Sequence, residues 1–235
     1  MSESFKYTGR FLSKAARFCL LPLLDVLYPA SCLTCENPLN MNTLICPKCK
    51  DLLDQAVLQE DHHQSNSFSV PEPHFDTVIA ALVYTRTVQT LIHHFKYNGY
   101  SRLSKLFAGY MSDQIISKNV QFDALQPVPL HSGRKRERGF NQAEHLCRIL
   151  GNRFRVPVLN CLKRHRYTSQ QAKYHREKRF KNVKNAFKLK QPARKNHIVL
   201  IDDVITTGAT VNECSRILKE SGVKQITVLT ICRIE

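Results

Sequence analysis

A parallel α/β sheet with helices on both faces, preceded by a small four-cysteine module, is the fold class that this 235-residue sequence predicts. Three observations predict it. Strand-like and helix-like apolar patterns alternate from Thr77 to Cys232, the order that builds parallel sheets. Near the C-terminus the apolar run Ile198 to Ile201 leads into Asp202-Asp203 and then a loop of small residues, Thr206-Thr207-Gly208-Ala209-Thr210. Far upstream, Cys32-x-x-Cys35 and Cys46-x-x-Cys49 stand ten residues apart.

Residues 1–28 read as a helical, partly amphipathic segment. Lys14 and Arg17 precede a short apolar run, Phe18 to Leu24, which Asp25 ends. The run is too short to span a membrane, and with no small-residue cleavage site no signal peptide is expected. It reads as a helix packed on the cysteine module, with weak contact to a membrane surface as the alternative. The module itself covers 29–58. Two knuckles this close converge four thiolates on one tetrahedral site, so Cys32, Cys35, Cys46 and Cys49 are expected to hold a structural zinc ion. A module this small has too little core to fold alone, so the metal supplies most of its stability. The remaining cysteines, Cys19, Cys147, Cys161, Cys214 and Cys232, are scattered and read as buried apolar residues. This usage suits the reducing cytosol. A polar stretch at 59–74 reads as a linker, and the second domain spans 75–235.

In that domain strands are expected at Thr77–Tyr84, Ala124–Val128, Val156–Leu162, Ile198–Ile201 and Ile226–Cys232. Helices are expected at Val88–Phe95, Leu103–Ile116, Asn141–Phe154 and Thr210–Glu220, the last stopped by Gly222. Phe140 and Phe154 are expected in the core. Ligands of parallel sheets bind at the carboxyl ends of the strands, where the acid pair and the small-residue loop fall. The loop lets backbone N–H groups approach an oxyanion beside a helix N-terminus. The carboxylates would repel a phosphate, so they suit sugar hydroxyls or a metal next to it. The competing reading, an acid pair of a P-loop fold, needs a G-x-x-x-x-G-K-[ST] loop, and the sequence has none.

Two further segments are basic. Gln126 to His131 is a proline-stiffened strand end that leads into Ser132 to Gln142, expected as a loop with Arg134 and Arg138 placed to pair a diphosphate. His131 is either a proton donor there or a turn residue, and Asn141 either serves the site or caps the next helix. The stretch Arg164 to Phe187 is expected as a lid that excludes water. The net charge is +16, and between Arg134 and Lys195 there are 20 Lys or Arg against three acids. Phe140, Phe154, Tyr167, Tyr174, Phe180 and Phe187 lie among them. Basic residues interleaved with aromatics suit single-stranded nucleic acid. Arg164, Arg166, Lys173, Arg176, Arg179 and Lys181 are the expected contacts.

The segment Val199 to Thr210 resembles the 5-phosphoribosyl-1-diphosphate (PRPP) motif of type I phosphoribosyltransferases. The resemblance implies that Asp202 and Asp203 hold the ribose hydroxyls and are the catalytic pair, and that Thr206, Thr207, Gly208, Ala209 and Thr210 hold the 5′-phosphate. Leu130-His131, Arg138-Gly139-Phe140-Asn141-Gln142, Arg166-x-Thr168-x-x-Gln171, Arg179-x-x-Asn182, Phe95-Lys96-Tyr97 and the four cysteines complete a layout over nearly the whole chain. That layout resembles the ComF family (ComFC or GntX-like proteins). It implies a type I phosphoribosyltransferase-like sheet behind a zinc ribbon, in a cytoplasmic bacterial protein of competence and DNA utilisation. The expected partners are PRPP with Mg2+, single-stranded DNA entering the cell and a helicase-like protein, with the inner membrane face as a further location. Lys96, Arg134 and Arg138 would neutralise the diphosphate, with His131 as a further PRPP-binding residue. The alternative is an active transferase with a nitrogen acceptor that no motif identifies. A PRPP-responsive transcriptional regulator ranks last, because no helix-turn-helix pattern is evident.

Overall fold

The computed structural model describes residues 31–39, 43–58, 70, 72–97, 100–166 and 183–234. The expected helix over 1–28, most of the linker at 59–74, and Lys173, Arg176, Arg179 and Lys181 lie outside the described residues. The chain forms two compact units, one up to Lys50 and one from Asp51. No helix among the described residues is long and apolar enough to cross a membrane.

In the first unit the chain doubles back on itself through a tight turn. Cys32 N–H donates to the Asn37 carbonyl at 2.8 Å and Glu36 N–H to the Cys32 carbonyl at 2.9 Å. Glu36 takes a left-handed φ of 62° to close it. Leu33 N–H reaches the Leu44 carbonyl at 3.0 Å, which brings the second cysteine pair beside the first. Leu39 and Ile45 pack against the buried sulfurs of Cys32, Cys46 and Cys49. Helix α1 (Pro47–Asp54) opens on proline, whose missing N–H costs nothing in a first turn.

The second unit is a four-stranded sheet in the order β1-β6-β5-β2. Its strands are β1 (Thr77–Val83), β2 (Ala124–Pro127), β5 (His197–Ile205) and β6 (Gln225–Arg233), and all pairings are parallel. The connecting helices are α2 (Arg86–Tyr97), α3 (Leu103–Ser117), α4 (Ser132–Arg138), α5 (Gln142–Phe154) and α6 (Ala209–Glu220). Ile198 and Leu200 of β5, with Ile226 and Val228 of β6, pack under Val211, Cys214 and Leu218 of α6. The alternate residues Val199, Ile201 and Leu229 are equally buried on the face that α3 and α5 cover. Burial on both faces is why β5 reads as a continuous apolar run rather than an alternating one. Both edges are covered as well. Ala56–Leu58 pairs antiparallel with β1, and Val158 bridges in parallel to Leu125 of β2, so no long edge is left open.

Three expectations change. First, β5 runs to Ile205 instead of stopping at Ile201. Its backbone stays paired with β6 through Asp202↔Thr230, Val204↔Cys232 and Ile205↔Arg233, so the acids lie within the strand rather than beyond it. Second, the basic stretch after His131 is helix α4, not a loop. His131 Nδ1 accepts from Gly133 N–H at 3.1 Å and Gly139, at φ 78°, ends the helix. Between cap and stop, Arg, Lys and Glu are good helix formers. Third, the strand expected at Val156–Leu162 is a single bridge at Val158. The chain then enters a separate antiparallel ribbon of β3 (Leu162–Arg164) and β4 (Phe187–Leu189). That ribbon pins the two ends of the expected lid together, with Arg164 opposite Phe187. Phe140 lies before α5, its ring 4.6 Å from His145 and 5.8 Å from Phe95. Phe154 meets Phe122 at 5.5 Å, and both Phe140 and Phe154 are partly buried. Gly222, at φ 97°, follows α6 as expected, with Gly222 N–H on the Lys219 carbonyl and Val223 N–H on that of Leu218.

Candidate functional site

Successive side chains of a strand point to opposite faces, so Asp202 and Asp203 leave β5 on different sides. Asp203 is buried and meets α2, where Lys96 Nζ lies 3.1 Å from its Oδ1. Its backbone carbonyl accepts from the Thr230 hydroxyl of β6 at 2.9 Å. Asp202 lines a hollow closed by Val204 to Val211, and its Oδ1 accepts from Asp203 N–H at 2.9 Å. Burial raises the Asp202 carboxyl to about 7, and the Asp203 charge pushes the same way. Lys96, the Asp203 N–H and Arg164 pull it back. The pair is therefore divided. Asp203 faces a lysine, while Asp202 holds its proton near neutrality.

The hollow is built by the turn from β5 into α6. Gly208 is the residue before the helix and takes φ 76°, ψ −5°, a conformation that side chains with a Cβ resist. Thr207 Oγ1 accepts from Ala209 N–H at 3.4 Å, and the first-turn N–H groups of a twelve-residue helix open into the same space. Such a helix start favours an anion.

The structure brings part of the expected diphosphate set to this end of the sheet. Lys96 sits in the last turn of α2, and Phe95 anchors it. The Phe95 ring packs on Phe107 at 5.6 Å, and the Phe95 carbonyl accepts from Gln142 Nε2 at 3.3 Å. Gln142 Oε1 in turn accepts from Arg138 at 3.3 Å. Arg138 also donates to the Tyr97 hydroxyl at 3.3 Å and lies 5.1 Å over the Tyr97 ring. Asn141 caps α5 through Ala143 N–H and holds the Val128 carbonyl through Nδ2 at 3.1 Å. It thus ties the strand end to the helix. His131 serves as the cap of α4. Arg164 lies 5.1 Å over Phe187; burial pushes its guanidinium down, the Arg134 charge pushes the same way, and Cys214 and Asp202 act against. Arg164 is thus within electrostatic reach of both Arg134 and Asp202. Arg166 donates to the Lys184 carbonyl at 3.0 Å, across the base of the ribbon. Cys147, Cys161, Cys214 and Cys232 are buried thiols, and burial raises all four.

In the first unit the sulfurs of Cys32, Cys35, Cys46 and Cys49 all lie within 4.8 Å of one another, with Cys35 and Cys46 at 3.6 Å. A tetrahedral four-thiolate ion with bonds of about 2.3 Å sets its sulfurs about 3.8 Å apart, so these residues could hold zinc. Burial would raise Cys32, but backbone N–H groups of Cys35, Cys46 and Thr34 outweigh it and hold the thiol at about 6. That favours a thiolate ligand.

The model of the phosphoribosyl transferase domain matches residues 137–234. Competence protein F of Haemophilus influenzae is 33% identical over 171 residues, covering 69% of this chain and 75% of that protein. The chain belongs to the ComF family. DNA utilization protein YhgH of Salmonella typhimurium is 28% identical over 226 residues, 92% of this chain and 95% of that protein. Competence protein ComFC of Streptococcus pneumoniae is 29% identical over 155 residues, 66% of this chain and 67% of that protein. The domain match and the parallel sheet make this the type I phosphoribosyltransferase fold that the sequence predicts. The domain match begins after Lys96, Arg134 and the four cysteines, and the longer relatives extend the likeness over them.

Sequence reasoning missed Gln142 and Tyr97 as partners of Arg138, and the bond between Lys96 and Asp203. These contacts join α2, the turn before α5 and β5, and no local pattern announces them. The expected role of Arg164 in nucleic-acid contact stands beside its observed place near Asp202.

The division of the acid pair has a measurable consequence. The folded state binds the Asp202 proton more tightly than the unfolded chain does, so its charge destabilises the fold above about pH 7. That penalty fades as pH falls toward the ordinary carboxylate range. Asp202→Asn is expected to stabilise the second unit at pH 8 by roughly 1–4 kcal/mol and to leave it unchanged at pH 4. Urea denaturation at the two pH values measures both.

Proposed function

We propose that this chain is a competence or DNA-utilisation protein that binds PRPP and single-stranded DNA and supports uptake of transforming DNA into the cytoplasm. The observation that carries the reading is the acid pair of β5 beside the Gly208 turn at the start of α6. The 5′-phosphate takes the N–H groups of Thr206 to Thr210. Asp202 and Asp203, near the carboxyl end of β5, hold the ribose hydroxyls. Lys96, Arg134 and Arg138 face the diphosphate, with His131 at the edge of that group. Magnesium, when bound with the diphosphate, offsets its charge. The names of the relatives support a role in competence, and the uncompensated basic residues support a nucleic-acid partner. A helicase-like protein acting on the same strand is the natural companion, at the cytoplasmic face of the membrane. Zinc in the four-cysteine site holds the first unit together.

A second reading, an active transferase with a nitrogen acceptor, draws on the Lys96–Asp203 bond. A buried acid paired with a lysine beside the anomeric carbon could help to stabilise an oxocarbenium-like state. Released pyrophosphate in the presence of a nucleobase, ammonia or glutamine favours it. Silence across all of them confines the site to binding.

Calorimetry of PRPP with magnesium tests the main reading. Asp203→Ala and Gly208→Val are expected to weaken binding at least tenfold, by about 1.4 kcal/mol or more. Affinity is expected to rise from pH 6 to pH 8, because hydroxyl donors require ionised Asp202 and binding then releases its proton. Equal affinity in wild type and both variants would contradict the assignment. Chelation or Cys46→Ser is expected to release a stoichiometric zinc and unfold the first unit, since binding of ~10–16 kcal/mol is folding energy there. Zinc release read by a metal-chelating dye, together with circular dichroism, checks it.

A further inference from the structure

Helix α2 buries Thr87, Val88, Leu91, Ile92 and Phe95. An ordinary surface helix would turn polar and charged residues outward. This one turns Arg86 and Gln89 outward in its first half, and rings, His93 and Tyr97, toward its C-terminal end. Tyr97 is 52% exposed and Tyr100 37%. His93 lies 5.1 Å from Tyr97 and 6.3 Å from His94, and His94 meets Tyr100 edge-on at 5.4 Å. The rings thus form one continuous group, exposed at His93, Tyr97 and Tyr100 and half-buried at His94. Arg138 lies over Tyr97, and Lys96, one residue back, holds Asp203. From Thr77 to Ser112 the sequence carries no Asp or Glu, while Arg86, Lys96, Arg102 and Lys105 lie in that span. The rings therefore stand among basic residues beside the acid-pair site, with no acid in their own stretch of sequence. Exposed aromatics of this kind need a reason, and their neighbours define one. Flat rings offer stacking to unpaired bases, and the flanking cations pair the phosphates between them.

We infer that the rim formed by Tyr97, Tyr100, His93 and Arg138 is a base-stacking surface for single-stranded DNA at the mouth of the phosphoribosyl site. The inference rests on the proposed strand-binding function and gives it a place. Unpaired bases are required, because a duplex hides the faces that the rings would meet. The strand and the diphosphate draw on the same Arg138, so each lowers the affinity of the other, and by the same factor.

The test is fluorescence anisotropy of the zinc-loaded full chain with a labelled oligothymidylate and with a duplex control. Tyr97→Ala and Tyr100→Ala are each expected to weaken single-strand binding by about fivefold to a hundredfold without changing its salt slope. Tyr97→Phe keeps the ring and is expected to bind like wild type, which controls for folding. Arg138→Ala is expected to lower the log–log salt slope by about 0.7. PRPP with magnesium is expected to weaken wild-type binding several-fold. Wild type that fails to bind the oligonucleotide overturns both this inference and the strand-binding function. Wild type that binds while both Tyr→Ala variants match it overturns the rim alone. Strand affinity that ignores saturating PRPP removes the shared edge and overturns the coupling of rim and site.

Discussion

Asp202 and Asp203 stand next to each other on a strand between the buried Ile201 and Ile205, and two charges there repel each other with little water to screen them. The surrounding structure resolves this by treating them differently. Lys96 reaches across from α2 to Asp203, and Thr230 holds the backbone of the same residue. Asp202 is left to the hollow before α6, where burial keeps its proton to about 7. The lysine must be held accurately for this to work. Phe95 between Phe107 and Phe140, and Gln142 on the Phe95 carbonyl, supply the hold.

The sheet order follows from the same need. Placing β5 between β6 and β2 buries both faces of the strand that carries the acids. Its carboxyl end then opens toward the turn at Gly208. A side chain at φ 76° would strain that turn and push the loop away from the helix start. Acid, loop and helix N-terminus are therefore one local device, and the parallel sheet is the frame that fixes it. The four cysteines are a second device with a different source of order. Their convergence relies on two backbone turns, and the sulfurs could share an ion; among the described residues only Leu39 and Ile45 pack on the buried cysteines.

Much of this was legible in the sequence where residue types and short spacing carry the information. Val199 to Thr210 needs no distant partner to be read, and neither does a pair of CxxC knuckles. The helices around Leu91, Phe107 and Leu146 follow from their apolar period. What the sequence hid is relational. Lys96 and Asp203 are far apart in the chain, and their bond depends on the register of β5 and on the end of α2. Helix α4 was hidden by its two glycines and its charge, although His131 and Gly139 mark its ends. The extension of β5 to Ile205 was hidden because Asp202 and Asp203 look like a stop, and only pairing with β6 carries the strand through them. Arg164 looked like one more cation in a basic run, and the ribbon of β3 and β4 sets it near Asp202 instead.

The central claim is that the turn at Gly208 receives a sugar phosphate while the acid pair receives the sugar. A crystal structure with PRPP and magnesium tests it most directly. The expected result is the 5′-phosphate on the N–H groups of Gly208 and Ala209, the ribose hydroxyls on Asp202 and Asp203, and Lys96 turned from Asp203 toward the diphosphate. Ligand bound elsewhere on the sheet, with Lys96 still on Asp203 and the hollow before α6 unfilled, would contradict it.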